Sequence, residues 1–348
     1  MRALTFVGQE SIEYTKVDDP GIMAPGDAVV KVEIAAICGS DLHVYHGREC
    51  GLDNGTVMGH EFMGEVVAVG SNVKQIAVGD RVACPFTTSC GQCFYCKTGL
   101  TCRCIHGSLF GWVQEGQGLH GTQAEYVRVP MADAGLLKLP GDVSSEEGLL
   151  MGDVLSTGYF SALNAGIHPD GTYVTLGCGP VGLMAIVGAL ELGAQKLYAV
   201  DCIPERLAMA ARFGAIPIDF KKQDTVEIIR AATGGYGADA VMELVGNQAA
   251  HRLAMDLVRP GGTLSVAGVH TEPQFAFSPA EAYDKNLTYK VGRCPARHLM
   301  DVLLPVVRSG RYDLSSVFSH RMTLEEGAAG YQIFANRREG CTKVLLTP

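Results

Sequence analysis

The stretch from Cys38 to Glu61 contains the side-chain types that bind metals and move protons. Cys38 and His60 are ligand types that a borderline metal such as zinc prefers. Ser40 and His43 lie between them in sequence and can carry a proton away from a group that the metal activates. The stretch predicts a catalytic metal site. The alternative is a polar loop in which the cysteine and the histidines have no shared role.

A second cluster of cysteines has the spacing C-x2-C-x2-C-x7-C. Its members are Cys90, Cys93, Cys96 and Cys104. This segment has little apolar content, so a tetrahedral four-thiolate zinc would supply folding energy while leaving no coordination position open. We therefore predict a structural zinc here, with reduced surface thiols as the alternative. Cys102 falls outside the spacing and is not expected to be a ligand.

A pattern typical of dinucleotide binding begins near residue 172 with a short apolar strand. A glycine-rich loop, an apolar helix to about residue 193 and a second strand ending at Asp201 follow it. Glycines allow the tight turn, the approach of the backbone to a pyrophosphate and the close packing of helix on sheet. The helix N-terminus faces the anion. The loop residues expected to contact the dinucleotide are Gly177, Gly179, Pro180, Val181 and Gly182.

Asp201 occupies the position from which a carboxylate accepts hydrogen bonds from the adenosine ribose hydroxyls. A carboxylate there repels a 2′-phosphate, so NAD is favoured over NADP. Arg206 lies further along the next helix and would soften that preference, because it carries the opposite charge.

The predicted elements fall into two regions, as a chain of 348 residues allows. The first region has short strands and turns and is expected to form an irregular β domain, a partly open barrel. From residue 172 strands alternate with helices, which predicts an α/β fold with a doubly wound parallel sheet. The expected strands are 3–7, 27–35, 64–69, 80–84, 125–129, 172–177, 197–200, 239–244, 263–267, 286–291 and 343–346. The expected helices after residue 200 are 204–213, 225–232, 248–258 and 297–309.

The charge of the chain limits its partners. A net charge of −9 argues against nucleic acid and anionic membranes, both of which attract clustered lysine and arginine. No apolar run reaches the length of a membrane span, and the N-terminus lacks the pattern of a signal peptide. Twelve cysteines in such a chain favour metal ligands and free thiols over disulfides. We expect a cytoplasmic protein that acts on a small molecule.

Together these motifs resemble one family over essentially the whole chain. They are C-G-S-D-x-H at 38–43, G-H-E at 59–61, V-G-D-R-V at 78–82, the four-cysteine lobe and G-C-G-P-V-G at 177–182. The chain resembles the zinc-containing alcohol dehydrogenases of the medium-chain dehydrogenase/reductase superfamily. The resemblance implies a GroES-like catalytic domain from residues 1–153 and 294–348, with the zinc lobe at about 90–104. A Rossmann domain at 154–293 would bind NAD.

The resemblance also implies a ligand set for the catalytic zinc: Cys38, His60 and a residue between 151 and 158. Many members have a second cysteine there, whereas this sequence has Asp153. Some bacterial secondary-alcohol and formaldehyde dehydrogenases are similar in this respect. The alternative is that Asp153 only caps a helix. Glu61 would support the site as a neighbouring carboxylate or act as an occasional ligand. Two zinc ions per chain are expected, one catalytic and one structural.

The implied activity interconverts small alcohols and aldehydes or ketones by hydride transfer with NAD. Ser40 would accept the hydroxyl proton and His43 would pass it to solvent, although His43 would alternatively only hold a ribose hydroxyl. Gly268 and Val269 resemble the nicotinamide contact of the family, and Lys343 resembles its basic residue near the cofactor. Relatives are commonly dimers or tetramers, so a homodimer or homotetramer is expected.

The same motifs are compatible with three other functions. One is a formaldehyde or aldehyde dehydrogenase, or a dismutase, that keeps NAD tightly bound. Another is a polyol or threonine dehydrogenase. The third is a non-catalytic NAD-binding protein with a regulatory role, against which the joint presence of the metal ligands, Ser40, His43 and the nucleotide loop argues.

Overall fold

The computed structural model describes all 348 residues and divides into two compact units. Unit 1 consists of Met1–Asp153 and Pro295–Pro348, and unit 2 consists of Val154–Cys294. The boundary differs from the predicted one by a single residue, because Cys294 belongs to unit 2. No helix combines the length and the apolar character that crossing a membrane requires.

The chain contains seventeen strands and twelve α-helices. In chain order the strands are β1 (Arg2–Gly8), β2 (Ser11–Lys16), β3 (Ala28–Ile37), β4 (Glu61–Val69), β5 (Arg81–Ala83), β6 (Trp112–Gln114), β7 (Gln117–Leu119), β8 (Tyr126–Val129), β9 (Leu137–Lys138), β10 (Thr172–Leu176), β11 (Lys196–Asp201), β12 (Ile216–Asp219), β13 (Ala238–Glu243), β14 (Val258–Val266), β15 (Thr288–Val291), β16 (His320–Thr323) and β17 (Val344–Thr347). The helices are α1 (Asp41–Tyr45), α2 (Phe94–Lys97), α3 (Ala132–Gly135), α4 (Ser145–Gly152), α5 (Val154–Ala165), α6 (Pro180–Glu191), α7 (Pro204–Phe213), α8 (Thr225–Ala232), α9 (Gln248–Leu257), α10 (Pro279–Asp284), α11 (Ala296–Arg308) and α12 (Gly327–Ala335). Short 3-10 turns lie at Thr101–Arg103 and Leu314–Val317.

Unit 1 is built on a seven-stranded sheet. Its strands follow the order β16-β17-β3-β4-β5-β9, with β8 also paired to β3. The long strand β3 is rich in valine and isoleucine, which suit a pleated and mostly buried strand. Val30 on β3 packs in one core with Phe62 and Val82 from the neighbouring strands. Separate two-stranded ribbons, β1–β2 and β6–β7, complete the β structure.

Unit 2 contains a six-stranded parallel sheet in the order β12-β11-β10-β13-β14-β15. All five residues of the central strand β10 are buried, as expected for a strand with helices on both faces. The predicted doubly wound sheet is confirmed. Strand β14 starts five residues earlier than predicted, because Val258 already pairs with Ala238 ahead of a register shift. Strand β12 was not predicted, since two of its four residues are exposed and one is proline.

Candidate metal centres and nucleotide loop

Strand register brings distant parts of unit 1 to one end of its sheet. Strands β3 and β4 are antiparallel with Ala36 opposite Glu61, so Cys38 follows the end of β3 where His60 precedes β4. Strand β17 also runs antiparallel to β3, with Val344 opposite Ile37. The two strand pairings therefore place a cysteine, a histidine and the residues around position 343 side by side.

The predicted catalytic ligands form a buried cluster at this end of the sheet. Asp153 Oδ2 lies 3.2 Å from His60 Nε2 and 3.7 Å from Cys38 Sγ. With a carboxylate oxygen of Glu61, these ligand atoms lie within 4.8 Å of one another, and all four residues are buried. The structure brings together the three residues that the sequence proposed as ligands, and Glu61 lies beside them.

Asp153 reaches this cluster because helix α4 packs against strand β5. Helix α4 begins with a capping box between Ser144 and Glu147 and ends at Gly152. A Cβ at Gly152 would lie 2.2 Å from the carbonyl oxygen of Cys84, so only glycine allows the helix to come this close. Asp153 is the residue after α4, and its side chain faces His60.

Asp41 orients the imidazole of His60. Its Oδ1 lies 3.1 Å from His60 Nδ1, and its Oδ2 accepts a hydrogen bond from the backbone N–H of Cys38 at 2.9 Å. Because a carboxylate only accepts hydrogen bonds, Nδ1 of His60 donates to Asp41, which leaves Nε2 as the nitrogen that would coordinate a metal. This role of Asp41 was not predicted from the sequence. Asp41 lies within the C-G-S-D-x-H motif, and its position three residues after a ligand cysteine was the available signal.

The electrostatics of the cluster fit a divalent cation. Burial raises the pKa of Cys38 to about 11, and the carboxylates of Glu61 and Asp153 add to the increase. Burial lowers the pKa of His60, but the charges of Asp41 and Cys38 outweigh it and leave that pKa well above its usual value. Thiolate, carboxylate and imidazole in one buried site repel added negative charge and attract protons. A zinc ion satisfies the same groups, because one thiolate and one carboxylate balance its two charges.

Glu61 is paired with a buried lysine. Lys343 Nζ lies 2.7 Å from Glu61 Oε2 and 2.9 Å from Oε1, and it also donates to the carbonyl oxygen of Ile37. Burial lowers the pKa of Lys343, but the Glu61 carboxylate more than offsets this effect. The pKa is therefore raised above its usual value, and the ammonium stays charged. The resemblance assigned Lys343 to the cofactor. Its side chain is fully buried within unit 1 beside Glu61, and a contact with the cofactor stays a prediction.

Ser40 and His43 are the predicted proton carriers, and Ser40 contacts the cluster. Ser40 Oγ is 3.2 Å from Cys38 Sγ and 3.3 Å from His60 Nε2. His43 is buried on α1, and its Nδ1 has no hydrogen-bond partner. Burial lowers the pKa of His43 to about 4, with smaller contributions from Arg48 and His46. His43 is therefore neutral at neutral pH.

The four-cysteine segment forms a second cluster of ligand atoms. The sulfurs of Cys90, Cys93, Cys96 and Cys104 lie within 4.8 Å of one another, with Cys93 and Cys96 3.5 Å apart. A zinc tetrahedron with Zn–S of about 2.3 Å has S···S edges of roughly 3.8 Å, so the spacing suits this geometry. Hydrogen bonds from backbone N–H groups, chiefly at Cys96 and Ile105, lower the pKa of Cys93 to about 6. Cys102 is buried in the adjacent 3-10 turn and is not part of the cluster.

The glycine-rich loop of unit 2 connects β10 to helix α6, as the sequence predicted. Gly177 has φ +86°, which an L-residue rarely adopts. A Cβ at Gly182 would lie 1.8 Å from the carbonyl oxygen of Gly177, so the helix packs on the loop without room for a side chain. Gly179 caps α6, Pro180 is its first residue and Val181 follows. The loop has the open backbone and the helix N-terminus that a pyrophosphate requires.

Asp201 ends strand β11 and fastens this loop. Its Oδ2 accepts a hydrogen bond from the backbone N–H of Cys178 at 2.7 Å, and its Oδ1 accepts from Cys202 and Ile203. Arg206 Nη1 lies 3.9 Å from the position that a Cβ at Gly179 would take. The predicted ribose-binding carboxylate and the arginine that would modify its selectivity thus lie beside the glycine-rich loop.

The predicted nicotinamide contact lies at the end of β14. The N–H of Gly268 donates to the carbonyl oxygen of Glu243 at 3.0 Å, which carries the backbone beyond the last strand residue. A Cβ at Gly268 would lie 2.5 Å from the backbone nitrogen of Gly246, so the two loops approach as closely as backbones can. The next residue, Val269, is exposed.

Comparisons with known proteins agree with both units. Residues 24–141 match the family model of the alcohol dehydrogenase GroES-like domain, and residues 180–305 match that of the zinc-binding dehydrogenases. A zinc-type alcohol dehydrogenase B from Aspergillus flavus is 44% identical over 342 residues, covering 96% of this chain and 78% of the relative. An alcohol dehydrogenase from Cupriavidus necator is 35% identical over 368 residues, covering 100% of this chain and 99% of the relative. The solved structure of alcohol dehydrogenase TADH from Thermus sp. ATN1 has a TM-score of 0.93 at 41% identity, covering 100% of this chain and 99% of that one.

Proposed function

The chain belongs to the zinc-type alcohol dehydrogenase family, and on that premise we propose that it oxidises small alcohols and reduces the corresponding aldehydes or ketones with NAD. The observation that carries the proposal is the buried cluster of Cys38, His60 and Asp153, whose ligand atoms lie within 4.8 Å of one another. Three ligands of these types are typical of a catalytic zinc, because they leave one coordination position for water or substrate.

The residues of the cluster would hold the catalytic zinc in distinct ways. Cys38 and Asp153 supply negative charge, while His60 supplies a neutral nitrogen that Asp41 keeps in the correct tautomer. When bound, zinc supplies Lewis-acid chemistry that polarises the oxygen of an alcohol or carbonyl. The cysteines at 90, 93, 96 and 104 would hold a second zinc whose role is structural, because four thiolates leave no open position.

Ser40 and His43 would move the substrate proton. Ser40 Oγ lies within 3.3 Å of both Cys38 Sγ and His60 Nε2, so a substrate oxygen at the open position would be within its reach. His43 is neutral at physiological pH because burial lowers its pKa to about 4, and its Nδ1 is unpartnered. This neutral imidazole would relay the proton from Ser40 towards solvent once the two side chains come into hydrogen-bond contact, since Nδ1 of His43 is not bonded to Ser40 in this structure.

The loop of unit 2 would bind the dinucleotide. When bound there, NAD would supply the hydride acceptor for alcohol oxidation, and its reduced form the hydride donor for the reverse reaction. The preference for NAD over NADP rests on the carboxylate of Asp201, which lies next to the glycine-rich loop and would repel a 2′-phosphate. A homo-oligomeric state and a location in the cytoplasm remain predictions from the sequence.

A substrate panel tests this proposal most directly. Zinc-loaded protein is incubated with short primary and secondary alcohols, polyols and formaldehyde, with NAD or NADP, and absorbance of the reduced cofactor is followed. We expect turnover of small alcohols with NAD and two zinc ions per chain. Full zinc content without turnover of any alcohol or aldehyde would reject the proposal and favour a non-catalytic role. NAD that copurifies and resists dialysis, with activity confined to aldehydes, would instead favour the formaldehyde-type enzyme.

A further inference from the structure

Gln123 is a buried amide whose polar atoms all have partners in unit 1. Its Nε2 donates to Asp41 Oδ2 at 3.2 Å and to the carbonyl oxygen of Ala36 at 3.0 Å. Its Oε1 accepts from the hydroxyl of Tyr331 at 2.9 Å. Two acceptors for the nitrogen and one donor for the oxygen fix the orientation of the amide, since the reversed amide would face two acceptors with its own oxygen.

Tyr331 lies on helix α12, more than two hundred residues beyond Gln123 in the chain, and its side chain is fully buried. Burial raises the pKa of its hydroxyl well above the usual value, so the group stays protonated and donates. The hydrogen bonds thus form a continuous buried chain from Tyr331 through Gln123 and Asp41 to Nδ1 of His60. Such a chain connects the C-terminal helix to a predicted metal ligand.

The backbone around His60 is also hydrogen-bonded to Gln123 and packed against it. The N–H of Gln123 donates to the carbonyl oxygen of Met58 at 2.9 Å. Gly59 has φ +86°, and a Cβ there would lie 2.5 Å from Cγ of Gln123. Glycine at this position therefore lets the Gln123 side chain pass against the turn that carries His60. Gln123 therefore supports both the imidazole ring of His60, through Asp41, and the backbone turn that carries it.

We propose that Gln123 and Tyr331 are positioning residues for the metal ligand His60, acting through Asp41, and this inference rests on the proposed catalytic zinc site. The hydroxyl of Tyr331 fixes the amide, the amide holds Oδ2 of Asp41, and Oδ1 of Asp41 is thereby kept in line with the imidazole. Without the hydroxyl, Gln123 Oε1 becomes a buried acceptor without a partner, and the amide is free to rotate away from Asp41. The orientation of the His60 imidazole would then be less restricted when it binds the metal.

The release of zinc from the purified holoenzyme measures this role without relying on activity. Zinc transfer to a colorimetric chelator is followed for wild type, Tyr331→Phe and Gln123→Met. We expect the catalytic zinc to leave each variant about tenfold faster, at the lower end of the ~10–100-fold effect usual for residues around a metal ligand. The four-cysteine zinc should leave at the wild-type rate. After cobalt replaces the catalytic zinc, the visible absorption of both variants should shift.

Tyr45→Phe is the matched control, because the ring of Tyr45 packs 5.6 Å from that of Tyr331 in the same core but outside the hydrogen-bonded chain. It should release zinc like wild type. Equally faster zinc release from Tyr45→Phe and Tyr331→Phe would overturn the proposal and indicate an effect of core packing. Zinc release from Tyr331→Phe at the wild-type rate would also overturn it, as would an equal loss of both zinc ions. A wild-type chain that holds only the four-cysteine zinc would reject the proposed catalytic site itself. Two bound zinc ions with no effect of the variants would reject the positioning role alone.

Discussion

The ammonium group of Lys343 lies 2.7 Å from Oε2 and 2.9 Å from Oε1 of Glu61, and neither side chain is exposed. Glu61 begins strand β4, whereas Lys343 precedes the last strand of the chain. The ion pair therefore joins the two sequence segments of unit 1 directly beside the metal-ligand cluster. A buried charge that loses its partner has neither water nor an opposite charge to stabilise it.

Lys343→Met should lower the free energy of unfolding by about 3–5 kcal/mol, the usual cost of leaving one member of a buried pair alone. Urea unfolding of the zinc-loaded protein measures the change. The double variant Lys343→Met, Glu61→Gln should recover part of the loss, because it removes both charges. Lys222→Met removes an exposed lysine that pairs with Asp219; it is the control and should leave unfolding nearly unchanged. A double variant less stable than either single one would show that the pairing is not the cause.

Asp153→Asn should empty the catalytic site while leaving the four-cysteine zinc in place. The amide keeps the size of the side chain but removes the negative charge that, with Cys38, balances the metal. The loss of zinc affinity should exceed the ~10–100-fold typical of changes around a ligand. Metal analysis after dialysis should fall from two zinc ions per chain to one, and activity should fall with it.

Asp301→Asn, an exposed residue of helix α11 paired with Arg297, provides the matched control. It should retain both zinc ions and full activity. Two tightly held zinc ions in Asp153→Asn, together with wild-type activity, would exclude Asp153 from the ligand set.

Most of what was predicted correctly from the sequence rests on local patterns. The bounds of α7 and α8 are those expected, because a proline or an aspartate marks the start of each helix. The alternation after residue 172 predicted the parallel sheet, and the motifs identified the family that the comparisons then confirmed. Each of these signals lies within a few residues of the feature that it predicts.

The contacts that were missed join residues far apart in the chain. Asp41 was part of a quoted motif, but its bond to His60 depends on the antiparallel register of β3 and β4. The partner of Glu61 lies 282 residues away and meets it only because β17 pairs with β3. Single-sequence reasoning gives no register between distant strands, so the residues around the ligands could not be paired in advance.

Asp201→Asn should raise the ratio of kcat/KM for NADP to that for NAD. The carboxylate accepts hydrogen bonds from three backbone N–H groups, and asparagine keeps one oxygen for them while removing the charge that repels a 2′-phosphate. We expect about a tenfold change in the ratio, equivalent to about 1.4 kcal/mol. Asp201→Gly should also relax the selection against NADP, but it should weaken binding of both cofactors because it releases the loop.

The control for this change is Asp239→Asn, since Asp239 lies at the opposite, amino end of β13 and pairs with Arg259. Steady-state kinetics with both cofactors should give the wild-type ratio for that variant. An unchanged ratio in both Asp201 variants would refute the assignment of cofactor selectivity to Asp201.

His43 should make the protein less stable in mild acid. Burial, with the charges of Arg48 and His46, lowers its pKa from 6.5 to about 4 in the folded protein. Between these two values the unfolded chain binds a proton at this position that the folded chain does not. Stability therefore falls as the pH drops from 6.5 towards 4. His43→Gln removes this proton uptake, so the urea midpoint should fall less steeply with pH than in wild type.

The measurement compares urea midpoints at pH 7, 6 and 5 for wild type, His43→Gln and His298→Gln. His298 is exposed on helix α11, so its replacement should leave the wild-type slope unchanged. Other groups that titrate in this range contribute equally to the three proteins, and the difference between slopes isolates His43. Parallel slopes for wild type and His43→Gln would mean that His43 titrates normally in the folded protein. The lowered pKa that burial gives His43 would then be refuted.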